Sequence, residues 1–376
     1  MAGDYVLVGG GLQNGLIALA LRARQPAARI IMVDRGARPG GNHTWCFHAD
    51  DVGDDMRGWI DPLVVSRWDG YDVAFPHLRR RLDSPYACVT SERLADEVLR
   101  ALDVPGSRFL ASSTATDVLA DRVVVGDVTI HATAVIDARG PEHRAPIACG
   151  WQKFLGQELQ LAAPHGLARP ILMDATLPQT DGFRFMYVLP LADDRLLVED
   201  TYFSDGAYLD AAALRDEIAR YVEARGWRIA NVEREEAGVL PLPWQWEPTT
   251  ANAPLVAGYA GGWFHPVTGY SFPIAARLAA RIASVSATEL FGGALDDLVA
   301  TQNRQLGFAL RLNKMLFHWF PPHQRFNVLE RFYRLREAVI RRFYALELTG
   351  LDRARILIGR PPRGLSLRAT LGLEAR

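Results

Sequence analysis

The chain has 376 residues, enough to bury a sizeable core in one large or two intertwined domains. A formal net charge of −1 gives no basic field for a nucleic-acid partner, and 49% hydrophobic residues with 16 Phe, 11 Tyr and 9 Trp suit a globular fold able to line an apolar cavity. Cys46, Cys88 and Cys149 are too few and too far apart for a disulfide framework or a metal site, as a reducing cytosol tolerates, and no apolar run approaches the ~18 residues that span a bilayer.

In chain order, MAGDYVLVGGG enters a strand directly, which reads as no signal peptide. YVLVGG is followed by the helix-like LIALALRARQ and a second strand, RIIMVD, ending at Asp34; this is a β-α-β unit opening an α/β fold. SERLADEVLRAL reads as a helix with Ser91 as its expected N-cap. Short strands follow at TATDVLA, RVVVGD, VTIHA and TAVIDARG, broken by Gly and Asp. From Trp151 to about Leu191 the pattern is mostly strand, including QKFLGQELQL and FRFMYVLPL, and AYLDAAALRDEIARYVEARGW is an amphipathic helix. PLVAGYAGGWFHPVTGYSFPIAARLAARIA reads as strand, glycine loop and helix, and from about Leu295 to Leu348 the pattern is helical almost throughout.

VGGGLQNG lies where a dinucleotide fold places its glycine turn. Gly9 would permit the tight turn, Gly11 the close approach of backbone to a pyrophosphate, and the helix beginning near Leu12 would offer N–H groups to phosphate. Gly10 and Arg35 belong to the same candidate set. The third glycine of the fingerprint is replaced by Asn14, with Gly15 next to it, and Asp34 ends the second strand where it could bond an adenosine ribose. The alternative is a structural glycine turn.

The run of short strands before VIDARG resembles the meander and third nucleotide strand of FAD-binding folds of the glutathione-reductase type. That resemblance places Asp137 and Gly140 near the adenosine or pyrophosphate. It also brings the late glycine loop, with Gly262, Pro266, Thr268 and Gly269, to the flavin. The ribityl-binding acid of that fold class is Tyr259 here. His265 is either a polar group beside the flavin or a packing histidine in a Pro-containing loop. His143 and Arg144 in PEHRAP are surface or phosphate-adjacent residues.

RLLVEDTYF sets Glu199 and Asp200 at the end of an apolar run, close to aromatic residues, where a carboxylate is costly unless paired or protonated. If the strand continues, the two point to opposite faces. Phe183, Phe185 and Tyr187 then share one face, as a cavity wall or as ordinary sheet core. Asp200 is either a second catalytic acid or a turn residue at a strand exit.

Over essentially its whole length the chain resembles the bacterial lycopene β-cyclases, FAD-dependent carotenoid cyclases. VGGGLQNGLIA, GGNHTW, QKFLGQEL, MDAT, DGFRFMYVLPL, LLVEDTYF, AGGWFHPVTGYSFP, RFYRL, RRFYALEL and RILIGRPP carry the likeness. It implies a glutathione-reductase-type α/β fold with a strand-rich substrate domain and a helical C-terminal layer. The implied reaction is non-redox: acid-catalysed closure of the ψ ends of lycopene to β rings, through γ-carotene to β-carotene, an isomerisation of the intramolecular-lyase class. Reduced FAD, maintained by NAD(P)H, is the implied cofactor, and Glu199 matches the glutamate of the family's acidic motif. A flavin hydroxylase or isoprenoid reductase, and a carotenoid carrier, are the competing readings.

The expected division is an FAD domain of residues 1–45, 86–150 and 250–290, a substrate domain of 46–85 and 151–249, and a helical region of 291–376. Expected partners are lycopene and other carotenoids with ψ ends, and the expected location is cytoplasmic, on the inner face of the membrane. LNKMLFHWFPPHQRF, with Phe317, Trp319, Lys314 and Arg325, has the composition of an interfacial segment or of core.

Overall fold

The computed structural model describes residues 2–140, 148–359 and 361–366. The opening unit forms as expected: β1 (Ala2–Val8), α1 (Leu12–Arg24) and β2 (Ile30–Val33). β1 lies between β2 and β11 (Val128–Asp137), both parallel to it. β8 (Arg108–Leu110) and β17 (Leu255–Val256) extend the parallel part, while β9 (Ala115–Val118) and β10 (Arg122–Val125) add an antiparallel meander. VTIHA and TAVID, expected as separate strands, are the one strand β11. Its first residues pair with β10 and its last seven with β1, so Ala132 and Ala134, which lack strand propensity, are held in the strand by β1.

The second sheet has the order β16–β12–β15–β14–β13–β5–β6. These strands are β5 (Tyr71–Phe75), β6 (Leu78–Leu82), β12 (Cys149–Leu161), β13 (Ile171–Asp174), β14 (Phe183–Ala192), β15 (Arg195–Ser204) and β16 (Ile229–Pro243). A third small sheet, β3 (Thr44–His48), β4 (Ser66–Trp68) and β7 (Tyr86–Thr90), joins the two and straddles the expected division at residues 45 and 86.

Helices close the layers. α2 (Asp54–Ile60) follows β3, and α3 (Ser91–Leu102) and α5 (Phe272–Ala283) flank α1. The N-cap of α3 is Thr90, whose hydroxyl accepts from the Arg93 N–H, rather than Ser91. α4 (Ala211–Ala224) lays Leu214, Ile218, Tyr221 and Val222, spaced for one helical face, over Met186, Val188, Val198 and Tyr202 on the back of the second sheet. α6 (Asp296–Trp319), α7 (Phe326–Phe332), α8 (Glu337–Tyr344) and α9 (Gly350–Leu357) form the C-terminal layer.

The segment read as interfacial or core is largely core. Leu316, Phe317 and Phe320 are buried, and the Phe317 ring fills the space beside Gly150, where a Cβ would meet it at 2.1 Å. Arg325, read as a flanking cation, is itself buried, its guanidinium 4.5 Å from the Phe317 ring and bonded to Asp205. Among the described residues, the exposed large apolar side chains of the C-terminal layer are instead Leu351, Leu357 and Ile358.

Asn14, the departure from the glycine fingerprint, has a structural use. Its buried amide donates to the carbonyls of Val8 (2.9 Å) and Gly9 (2.8 Å) and pins α1 to the end of β1. Close helix packing passes to Gly15, where a Cβ would press on Leu94 of α3 at 3.2 Å. Asn14→Ala should lower the unfolding free energy by about 1–3 kcal/mol, since it strips a buried donor from two carbonyls. Urea denaturation of the purified chain checks this, and a change below ~0.5 kcal/mol would show the bonds to be dispensable.

Candidate active site

One cavity of about 560 Å³ runs from the glycine turn to the front face of the second sheet. At its first end Gly9, Gly10, Gly11, Leu12, Asp34, Arg35 and Gly140 form the wall. Gly9 has φ +93°, and a Cβ there would meet the Ala138 carbonyl at 2.6 Å, so only glycine serves the turn. A Cβ on Gly11 would meet nothing within 4 Å, because this residue faces the cavity. α1 begins there with no side-chain cap and no acidic residue in its first turn, which leaves its N–H groups for an anion. Asp34 accepts from the N–H groups of Gly10 (2.5 Å) and Gly36 (2.6 Å) and still lines the cavity.

The other expected binding residues divide. Thr268 and Gly269 line the cavity, as does Tyr259, whose ring stacks on Phe264 at 3.7 Å. Asp137, Gly262 and Pro266 are outside the wall. Asp137 is held by Arg139 in a two-point ion pair, the Gly262 carbonyl accepts from Gln302, and the Pro266 carbonyl accepts from Asn313. The latter two thus tie the glycine loop to α6. His265 is a packing histidine: its ring bonds the Phe343 carbonyl and the Val267 N–H, and burial pushes its pKa down to about 3. His143 and Arg144 lie outside the described residues.

Strand register builds the second end. Glu199 on β15 faces Gly156 on β12 to one side and Tyr187 on β14 to the other; Gly156 in turn faces Glu236 on β16. In the next row Thr201 lies between Phe154 and Phe185, with Gly238 beyond. The following row is Leu240, Gln152, Phe203 and Phe183. Phe183, Phe185 and Tyr187 therefore share the face that carries Glu199, and Phe185 and Tyr187 reach the cavity. The Tyr187 hydroxyl meets that of Tyr86 at 3.2 Å.

Glu199 is accessible from the cavity but screened from bulk water by the surrounding protein. Burial, and next the charge of Glu236, push its pKa up to about 8, against the hydrogen bond from Thr201 that favours the ionised form. Glu236 is also raised by burial, but it has a cation: Arg234 bonds it at 2.9 Å. The same guanidinium reaches Glu158, Asn42 and Thr44.

Asp200 is not part of this site. The two-residue strand period turns it to the back of the sheet, fully buried under α4. There Arg184 clasps it with bonds of 2.9 and 2.8 Å, and the Tyr202 hydroxyl adds a third. Neither a catalytic nor a turn role fits a residue in the middle of a ten-residue ladder; it is one half of a structural ion pair.

Sequence reading passed over Glu236, Arg234 and Gly156. β16 carries them within IANVEREEAGVLPLP, whose charge run reads as a solvated segment and hides a strand. The available signal was the spacing of two, Arg234, Glu236 and Gly238, leading into Leu240.

Residues 4–370 match the family model described as lycopene cyclase protein. The chain is 43% identical over 374 residues to a lycopene beta-cyclase of Pantoea ananas, covering 96% of this chain and 95% of that protein. It is 44% identical over 368 residues to a lycopene beta-cyclase of Pseudescherichia vulneris, covering 96% and 94%. Among solved structures it is similar to a geranylgeranyl bacteriochlorophyll reductase-like protein of Thermoplasma acidophilum, with TM-score 0.63, 12% identity and coverage of 95% and 96%. A flavoprotein/dehydrogenase of Cytophaga hutchinsonii gives TM-score 0.62, 12% identity and coverage of 95% of both chains. At these identities the two structures speak for the fold, which is the α/β class expected.

Removing one member of a buried ion pair costs about 3–5 kcal/mol. Asp200→Asn should therefore destabilise the chain by about 3 kcal/mol while leaving turnover per folded molecule unchanged. Thermal melts with activity normalised to folded protein check this. A turnover loss beyond the folded fraction would return Asp200 to the site.

Proposed function

The chain belongs to the lycopene cyclase family, and from that premise we propose that it is a lycopene β-cyclase in which Glu199 is the acid. The observation that carries the reading is a carboxyl with a pKa near 8 on an aromatic-lined face of the cavity that also holds the glycine turn. Protonating an alkene needs an acid that keeps its proton at neutral pH, in a place from which water is excluded. Glu199 meets the first condition through burial and through Glu236.

In the proposed reaction the Glu199 proton passes to the terminal double bond of a ψ end. The tertiary cation is attacked by the neighbouring double bond, a six-membered ring closes, and one proton leaves the ring. No electrons are gained or lost. Phe154, Phe185, Tyr187 and Phe203 line the space in which positive charge passes, and a cation that meets an aromatic face is stabilised.

The first end of the cavity fits a dinucleotide. The open side of Gly11, the uncapped start of α1 and Asp34 suit a pyrophosphate and a ribose, and Gly10, Leu12, Arg35, Gly140, Thr268 and Gly269 complete the wall. We assign FAD to it. Reduced FAD, maintained by NAD(P)H, supplies when bound an electron-rich ring system that favours nearby positive charge.

The substrate class calls for contact with lipid. Among the described residues no helix is long and apolar enough to cross a membrane. We place the contact at α9, where Leu351 (70% exposed) and Ile358 (72%) lie beside Leu357 and Arg355.

Glu199→Gln should reduce ring closure by at least ~100-fold with bound flavin retained, as loss of the acid predicts. The assay is chromatography of pigments from lycopene-accumulating cells and from the purified reduced enzyme, with mass unchanged on conversion. Because the acid works protonated, the wild-type rate should fall as pH rises through about 8. Stability should decline over the same rise, from the ordinary glutamate range through about 8, because the folded chain retains a proton that the unfolded chain releases. Glu199→Gln should flatten that decline.

Leu351→Ser with Ile358→Ser should weaken flotation on anionic liposomes. Unchanged flotation would remove α9 from the membrane face.

A further inference from the structure

We propose that Glu236 is the base of this site, taking up the proton that leaves the ring, as the partner of Glu199 across Gly156. The proposal rests on the reading of Glu199 as the acid.

Three features of the fold place the two carboxyls together. They occupy the same register row on one sheet face, with only Gly156 between them. A Cβ on that glycine would lie 3.5 Å from a Glu199 carboxyl oxygen, in the gap that separates the two side chains. Both glutamates line the same cavity.

Their other contacts are opposite in kind. Glu199 has a hydroxyl, Thr201, and no cation among the described residues. Glu236 has the Arg234 guanidinium, and Thr44 also donates to it. Arg234 is steered by Asn42 and Thr44, and it shares Glu158 with Arg195. The guanidinium favours the carboxylate of Glu236 against the burial that raises its pKa, and a carboxylate there makes the neighbouring acid hold its proton. Two neighbouring carboxyls, of which one is bonded to a guanidinium and the other to a hydroxyl, are suited to be acceptor and donor.

The chemistry needs both. Once Glu199 has given its proton to the alkene it is a carboxylate, and the ring cation must lose a proton from the ring carbon that bears the polyene. That C–H bond breaks, its electron pair becomes the ring double bond, and the proton goes to the Glu236 carboxylate. Transfer of this proton across the space above Gly156 restores Glu199 as acid and Glu236 as anion, with nothing consumed.

Other groups bear on the titration of the pair. On the clamp side these are Arg234, Glu158 and His43, whose pKa is lowered by burial and by Arg234. Cys88 feels the charge of Glu236, Tyr187 pairs opposite Glu199 with its hydroxyl against that of Tyr86, and the charge of Asp200 also raises Glu199.

The test uses flavin-loaded enzyme with reduced FAD and lycopene in liposomes, comparing Glu236→Gln, Glu236→Asp and Glu199→Gln. Expected for Glu236→Gln is retained flavin and a loss of β rings of at least ~100-fold, the residual product being enriched in isomeric rings whose proton left from another carbon. Glu236→Asp keeps an anion against Arg234 and should recover at least about tenfold over the Gln variant; it carries the test alone should the Gln variant lose flavin. β-ring formation by Glu236→Gln within about threefold of wild type, or equal inactivity of the two variants without isomeric rings, overturns the proposal. Ring closure by Glu199→Gln would instead overturn the reading of the acid, whatever Glu236 does.

Discussion

A carboxyl group keeps its proton near neutral pH only if it is desolvated and is not given a cation. Much of this architecture can be understood from that constraint. Burial favours the uncharged acid, a nearby anion favours it further, and a guanidinium would undo both. Glu199 has the first two and, among the described residues, lacks the third. Two arginines of the same sheet are committed elsewhere: Arg184 to Asp200 behind it, Arg234 to Glu236 and Glu158 along it. Rings and aliphatic side chains supply the dryness of the front face.

Glu199 and Asp200 are neighbours in sequence and opposites in environment, and strand geometry alone separates them. A slip of one residue in the pairing of β15 would send the arginine-bound aspartate to the cavity and the bare glutamate under α4. Such a slip is strongly opposed. β15 is paired over nearly its full length with β12 on one side and β14 on the other. The leucines and valines at alternate positions would lose their core on one face or the other. The register that stabilises the sheet is thus the same register that decides which acid is paired and which holds a proton.

The readable parts of the sequence were those where one local rule acts alone. The glycine turn, Asp34 at the end of β2, the shared face of Phe183, Phe185 and Tyr187, and the α4 stripe follow from φ angles and periods of 2 and 3.6. What could not be read depends on partners distant along the chain. β11 is continuous because β10 and β1 each hold part of it. Asp137, Gly262 and Pro266 fit a binding motif, yet an ion pair and two α6 side chains claim them. Phe317 has the composition of a membrane anchor and fills a gap left by Gly150. Glu236 was hidden for a related reason: a charged strand looks solvated until Gly156, some eighty residues earlier in the chain, is seen to leave space beside it.

The loop after β2 links the two ends of the cavity. Gly40 donates its N–H to the Gly10 carbonyl, so the loop is tied to the glycine turn. Two residues past Gly41, His43 and then Thr44 line the wall, while Asn42 grips β16 through the Glu235 carbonyl and the Arg234 guanidinium. Thr44 touches both Arg234 and Glu236. GGNHTW is therefore a strap whose first glycine is set by the nucleotide end and whose last polar residues set the carboxyl pair. Only four residues of backbone separate Gly40, bonded to the glycine turn, from Thr44, which accepts from Arg234. On the proposed assignments, one short segment therefore contacts both the cofactor end of the cavity and the clamp on Glu236.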